Sequence, residues 1–119
     1  MPEKITNFRQ LKVWQKSHNL VLDTYKVTTH YPCEEKYGLI SQMRRSAVSV
    51  PANIAEGFKR RGKADKAHFY NVAQSSLEEL YYYFLLSADL GYTKDSAGLR
   101  ERAEEVGRML IGLIEAVKK

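Results

Sequence analysis

The side chains with the clearest chemical potential in this sequence are seven Lys and Arg residues between positions 39 and 70. Only two acids, Glu56 and Asp65, lie in the same stretch, so its excess charge equals the +5 of the whole chain. Localised positive charge is typical of a surface that binds a polyanion such as nucleic acid. A solvated helix face followed by a charged turn is an equally good interpretation. The seven candidate nucleic-acid-binding residues are Arg44, Arg45, Lys59, Arg60, Arg61, Lys63 and Lys66.

Two further expectations concern this candidate site. Arg44 and Arg45 have an alternative role, which is to pair with Glu78 or Glu79 across the protein and stabilise the fold. The lysines at 118–119 lie far from the stretch in sequence, so they are expected to contribute much less to binding.

Aromatic residues follow the basic stretch. Phe69 or Tyr70 could stack on a nucleobase, although core packing is the more common role of such residues. The helix predicted to start here would add the positive end of its macrodipole, with His68 nearby.

Residue patterns that would support catalysis or metal binding are missing from the sequence. His18, His30 and His68 lie in different segments, and Asp65-x-x-His68 occurs only once. A di-iron bundle needs a Glu-x-x-His pair from each of two helices together with further glutamates. No GxGxxG, GxxxxGK[ST] or GxSxG motif is present. We therefore predict a protein that is not an enzyme, with no catalytic residues, no metal site and no cofactor.

Length and composition predict one soluble domain over residues 1–119, since 44% of the residues are hydrophobic and 28% are charged. Cys33 is the only cysteine, which excludes an intrachain disulfide. The start, MPEKITNFRQ, lacks the apolar segment of a secretory signal. The apolar run at 81–86 is far shorter than the roughly 20 residues that span a bilayer. We expect a cytoplasmic protein that is not associated with a membrane.

Four segments show apolar residues at alternating spacings of three and four, which indicates helices. These segments are Leu11–Thr28, Ile40–Ile54, Tyr70–Ala88 and Leu99–Val117, joined at about Tyr31–Lys36, Lys59–Ala64 and Tyr92–Ser96. Such spacing forms the seam between nearly parallel helices, and short connections reverse the chain. The predicted fold is all-α, an antiparallel up-and-down four-helix bundle.

Pro51 lies inside the second segment. A proline within a helix removes one backbone hydrogen bond and costs about 3 kcal/mol unless the surroundings adapt. We predict a helix that is kinked at Pro51, with Ser49 available to bond a freed carbonyl. Asn53 is expected either to fix the register of the bundle or to bond the backbone near Pro51. Gly57 is expected to loosen the end of this helix.

A second apolar stripe is visible on several helices, and it predicts self-association. A broad core is the alternative interpretation. If the second stripe forms the interface, charged substitutions at Val13 or Leu20 are expected to dissociate the assembly without loss of helicity. The candidate interface residues are Val13, Leu20, Val27, Phe69 and Tyr82.

The run YGLISQMRRSAVSVPANIAEG at residues 37–57 closely resembles the hallmark of a bacterial four-helix-bundle family. This family was first noticed as reading frames in the intervening sequences of large-subunit ribosomal RNA genes. Supporting similarity lies in LKVWQKSHNLVLDTYKVT, SLEELYYYFLLSADLGY and GRMLIGLI. The resemblance implies an up-and-down bundle that forms rings, commonly pentamers. It also implies a fold similar to the accessory variability protein of diversity-generating retroelements, which binds nucleic acid and a reverse transcriptase.

These observations favour a non-enzymatic, oligomeric bundle that associates with nucleic acid, RNA in particular, through its basic stretch. The alternative is a protein–protein adaptor or scaffold with no direct nucleic-acid role. In that case exposed apolar stripes and tyrosines recruit another protein, and the positive charge steers an acidic partner. Saturable binding to a protein, with little affinity for polynucleotides, distinguishes the alternative.

Overall fold

The computed structural model describes residues 4–119, whose apolar core lies between four α-helices. The helices are α1 (Lys12–Thr28), α2 (Leu39–Lys59), α3 (Lys63–Asp89) and α4 (Ser96–Lys118), and short 3₁₀ turns at Phe8–Gln10 and Cys33–Glu35 precede α1 and α2. The described residues contain no β-strand. The predicted all-α, four-helix fold is confirmed.

Each helix packs on the next one in sequence, and α4 also packs on α1, so the helices enclose the core as a square. Contacts between α2 and α3 join Met43 to Ser87 and Ser49 to Ser76. Contacts between α3 and α4 join Tyr81 to Glu104 and Phe84 to Ser96, and contacts between α1 and α4 join Lys16 to Glu105 and Asp23 to Arg102. In each of these pairs of helices, residue numbers rise along one helix and fall along its neighbour. Consequently the start of α1, the end of α2, the start of α3 and the end of α4 lie at one end of the bundle.

The core face of α1 requires a correction to the predicted interface. Val13 and Leu20 are only 5% and 2% exposed and belong to the core of the single chain. Both side chains are therefore inaccessible to a second copy. Val27 and Phe69 are half-buried, whereas Tyr82 is 56% exposed and stays accessible.

Polar residues explain why the apolar pattern assigned Val13 and Leu20 to an interface and not to the core face of α1. Ser17, Thr24 and Thr28 are buried beside the apolar side chains of this face. Each hydroxyl donates to a main-chain carbonyl three or four residues earlier, at 2.8, 2.8 and 2.7 Å respectively. Because the hydroxyl groups are satisfied within the helix, these residues pack in the core at little cost.

Helix α2 continues through Pro51 without a break. Asn53 Nδ2 donates to the Ser49 carbonyl at 2.8 Å, which confirms that Asn53 bonds the backbone near the proline. The Ser49 hydroxyl, predicted to bond a freed carbonyl, instead lies 2.8 Å from the Ser76 hydroxyl of α3. The two serines thus join α2 to α3.

Gly57 marks a close approach of α2 to α3. A Cβ at this position would lie 2.6 Å from Tyr70 Cε1 and 3.2 Å from Phe69 Cβ. The helix continues beyond Gly57 to Lys59. The missing side chain lets the two helices come together directly before the basic turn.

Candidate nucleic-acid interface

The structure divides the seven predicted residues into two groups. Arg44 and Arg45 lie in the first half of α2, and the other five surround the connection 60–62 between α2 and α3. Fourteen residues of helix separate Arg45 from Lys59, a distance of about 21 Å at 1.5 Å per residue. The predicted residues therefore do not form one continuous site.

Arg44 fastens the end of α1 to α2. Its Nε donates to Thr28 Oγ1 at 3.0 Å, its Nη2 donates to the Tyr25 carbonyl at 3.4 Å, and its Cζ lies 4.6 Å from the Tyr25 ring centroid. A cation is favourable at these last carbonyls of a helix. The structural role of Arg44 is thus directed at α1 and not at the acids 78–79. Arg45 is exposed and makes no hydrogen bond or ion pair with any residue of 4–119.

Lys63 and Lys66 are also engaged with the main chain. Lys66 Nζ donates to the carbonyls of Gly57 at 3.2 Å and Phe58 at 2.7 Å, and so closes the end of α2. Lys63 Nζ donates to the main-chain oxygen of Lys119 at 3.0 Å. Lys66 in particular stabilises the turn rather than presenting a free charge.

The turn itself carries three consecutive cations with different surroundings. Arg60 lies between Glu56 Oε1, 3.7 Å from its Nη2, and the ring of Phe69, whose centroid is 4.7 Å from its Cζ. Lys59 and Arg61 are exposed, and neither has a hydrogen-bond or ion-pair partner among the described residues. The two are therefore available to an external anion.

The topology brings further cations to the end of the bundle that carries the turn between α2 and α3. The sequence prediction did not include these cations. Residues 6–8 share a groove with Phe58 and Lys59, and the end of α4 reaches Lys63. The ten cations gathered here, which we call the basic end, are Lys4, Arg9, Lys12, Lys59, Arg60, Arg61, Lys63, Lys66, Lys118 and Lys119.

Among residues 4–119, only three acids, Glu56, Asp65 and Glu115, accompany the basic end, so these described residues carry a formal charge of +7. The other described residues carry nine Lys and Arg against ten acids, a balance of −1. Because Lys119 contacts Lys63, the expectation that the lysines at 118–119 lie apart from the site is wrong.

The two aromatic candidates for base stacking differ in accessibility. Tyr70 is 2% exposed and faces Gly57, and burial raises the pKa of its hydroxyl. Phe69 is half-buried, with Arg60 over its ring and the His68 ring 5.0 Å away. Tyr70 is thus a core residue, and of the two candidates only Phe69 borders the basic turn.

Other kinds of site have no counterpart in the part of the chain that the structure describes. No three His, Cys, Asp or Glu side chains converge there in a way that would hold a metal ion. None of the four helices is apolar over a stretch long enough to cross a bilayer.

The fold and the asymmetric charge define a small four-helix bundle with a basic end. The family model of the 23S rRNA-intervening sequence protein matches residues 9–112, and the chain belongs to this family. This confirms the resemblance seen in residues 37–57. No curated protein matches the chain.

A solved structure supports the fold independently. It is a protein of unknown function from the S23 ribosomal protein family of Bacteroides thetaiotaomicron, 24% identical, with a TM-score of 0.79. The match covers 86% of this chain and 97% of that one. At this identity the likeness shows the fold alone.

Proposed function

We propose that this chain is a non-enzymatic bundle whose basic end binds the phosphate backbone of nucleic acid, RNA in particular. The supporting observation is the charge of +7 at one end of the molecule against −1 on the other described residues. Phosphate neutralisation by Lys and Arg releases counterions and supplies affinity that does not depend on sequence. The family name, which refers to an intervening sequence of ribosomal RNA, favours RNA over DNA.

Lys59 and Arg61 are the principal phosphate ligands in this proposal. Both are exposed, and neither is engaged by another described residue. Lys66 contributes less because two main-chain carbonyls hold its ammonium group. Arg44 lies outside the interface because it binds the end of α1.

The binding unit is an oligomer in this proposal. Exposed apolar side chains on all four helices, among them Leu22, Val48, Tyr82 and Ile111, supply surface for self-association. Assembly would present several basic ends to one polyanion, so a weak contact of each copy becomes a strong contact of the whole.

Fluorescence anisotropy with labelled RNA and DNA of mixed sequence, measured over a range of salt, tests phosphate binding. The logarithm of the affinity should fall linearly with the logarithm of the salt concentration. The double variant Lys59→Gln/Arg61→Gln removes two contacts, so the slope should flatten by roughly 1.4 to 1.8 per bound protomer.

The matched control is Lys26→Gln/Lys94→Gln. It removes the same charge from two exposed lysines outside the basic end, and its slope should equal that of the wild type. Equal slopes for the two double variants would contradict the assignment to the basic end. No binding at low salt would refute the proposal and favour a protein–protein adaptor.

A further inference from the structure

The basic turn holds a planar cation against an aromatic ring. Arg60 Cζ lies over the Phe69 ring, 4.7 Å from its centroid. Phe69 is half-buried at the close contact between α2 and α3, so its ring lies against the guanidinium group from the protein side. The Arg60 side chain nevertheless keeps 44% of its surface exposed. Solvent therefore still reaches the arginine that contacts the ring.

The surroundings of this pair suit a nucleotide. Lys59 and Arg61 flank Arg60 in sequence, and both are exposed and unpaired among the described residues. Gly62 follows, and a Cβ built there would meet no described atom within 4 Å. An exposed planar group thus lies beside two available cations and open space.

Building on the proposed function, we infer that the guanidinium group of Arg60 stacks on an unpaired nucleobase while Lys59 and Arg61 bind neighbouring phosphates. Guanidinium planes and aromatic rings are the groups on which proteins stack the bases of single strands. The Phe69 ring holds the guanidinium in place through a cation–π contact.

This arrangement selects the form of nucleic acid rather than its sequence. Bases inside a duplex are covered on both faces by their neighbours, so only a single strand, a loop or an end can offer a free face. Every base has such a face, and stacking alone reads no base edge. The ligand class is therefore unpaired nucleic acid of any sequence.

The test compares two single-stranded oligomers of about 12 nucleotides, one of mixed sequence and one abasic. Both carry the same number of phosphates, so a difference in affinity between them measures stacking and not phosphate binding. The wild type should bind the oligomer with bases about 5- to 150-fold more tightly for each stacked base. Arg60→Lys keeps the charge but lacks the plane. This variant should lose most of that preference, with unchanged affinity for the abasic oligomer and an unchanged salt slope.

Two further variants complete the design. Phe69→Leu keeps an apolar side chain against α2 but removes the ring, and should also reduce the preference, with circular dichroism as the check on folding. Arg108→Lys alters an exposed arginine of α4, outside the basic end, and should change nothing. Equal affinity of the wild type for both oligomers overturns the stacking inference and leaves phosphate binding intact. Absence of binding to both at low salt overturns the proposed function as well.

Discussion

Replacement of Gly57 by alanine measures the close approach of α2 to α3 directly. The added methyl group would lie 2.6 and 2.8 Å from two ring carbons of Tyr70, shorter than any normal contact between carbon atoms. The ring cannot swing aside because Tyr70 is buried in the core. Forcing an extra methyl group into a packed site costs about 1–3 kcal/mol. Alanine recovers about 1 kcal/mol through its better helix propensity.

A clash with a buried ring lies at the upper part of that range, so Gly57→Ala should lower the free energy of unfolding by about 1–2 kcal/mol. Gly112→Ala is the matched control, since the same substitution in α4 meets no described atom within 4 Å. This variant should be more stable than the wild type by about 1 kcal/mol. The two substitutions should therefore change the free energy of unfolding in opposite directions, and the two variants should differ by roughly 2–3 kcal/mol.

Urea unfolding followed by far-UV circular dichroism, at one fixed protein concentration, gives both values from the shift in midpoint at constant slope. If Gly57→Ala proves as stable as Gly112→Ala, α2 and α3 do not make the close contact at Gly57. The packing that positions Phe69 beneath Arg60 would then be absent as well.

Two other predictions concern assembly and pH. Light scattering at micromolar concentration should give a mass several times 13.7 kDa. The exposed-site variant Tyr82→Glu should lower this mass at unchanged helicity. In contrast, Val13→Glu should unfold the chain because it buries a carboxylate in the core. A monomeric wild type would contradict self-association. Stability should fall as the pH rises above 10.0, since burial raises the pKa of Tyr31 and Tyr70 in the folded chain while unfolded tyrosines ionise at the ordinary value. Urea titrations below and above this pH measure the loss, and Tyr31→Phe should reduce it.

Helix number, order and approximate limits follow from the sequence because they depend on local periodicity. The predicted connection Lys59–Ala64 contains the observed one, which consists of residues 60–62. The buried face of α1 does not follow in the same way. Its core positions include Ser17 and Thr24, whose hydroxyls are satisfied by the helix itself, and a search for apolar side chains passes over them.

The candidate site shows a similar division. That the turn at 59–61 is basic is visible in the sequence, but the engagement of each cation depends on packing. Lys66 reaches the Gly57 carbonyl only because α2 and α3 come close at this glycine. The position of the lysines at 118–119 was predictable in principle. In an up-and-down bundle of four helices, the second turn and the end of the fourth helix lie at the same end.

The number of charges alone therefore does not identify the residues that would bind nucleic acid, because some cations of the basic end stabilise the fold. Lys66 and Arg60 have partners that lower the cost of gathering positive charge. Lys59 and Arg61 have none within the described residues, and the repulsion of their neighbours acts against the compact state, whereas the position of Lys59 at the end of α2 is favourable for a cation. Because these effects are small and opposed, neutralisation of both residues should change the free energy of unfolding little. A loss of nucleic-acid affinity without a loss of stability would assign these two side chains to binding, whereas a marked loss of stability would show that they also hold the turn.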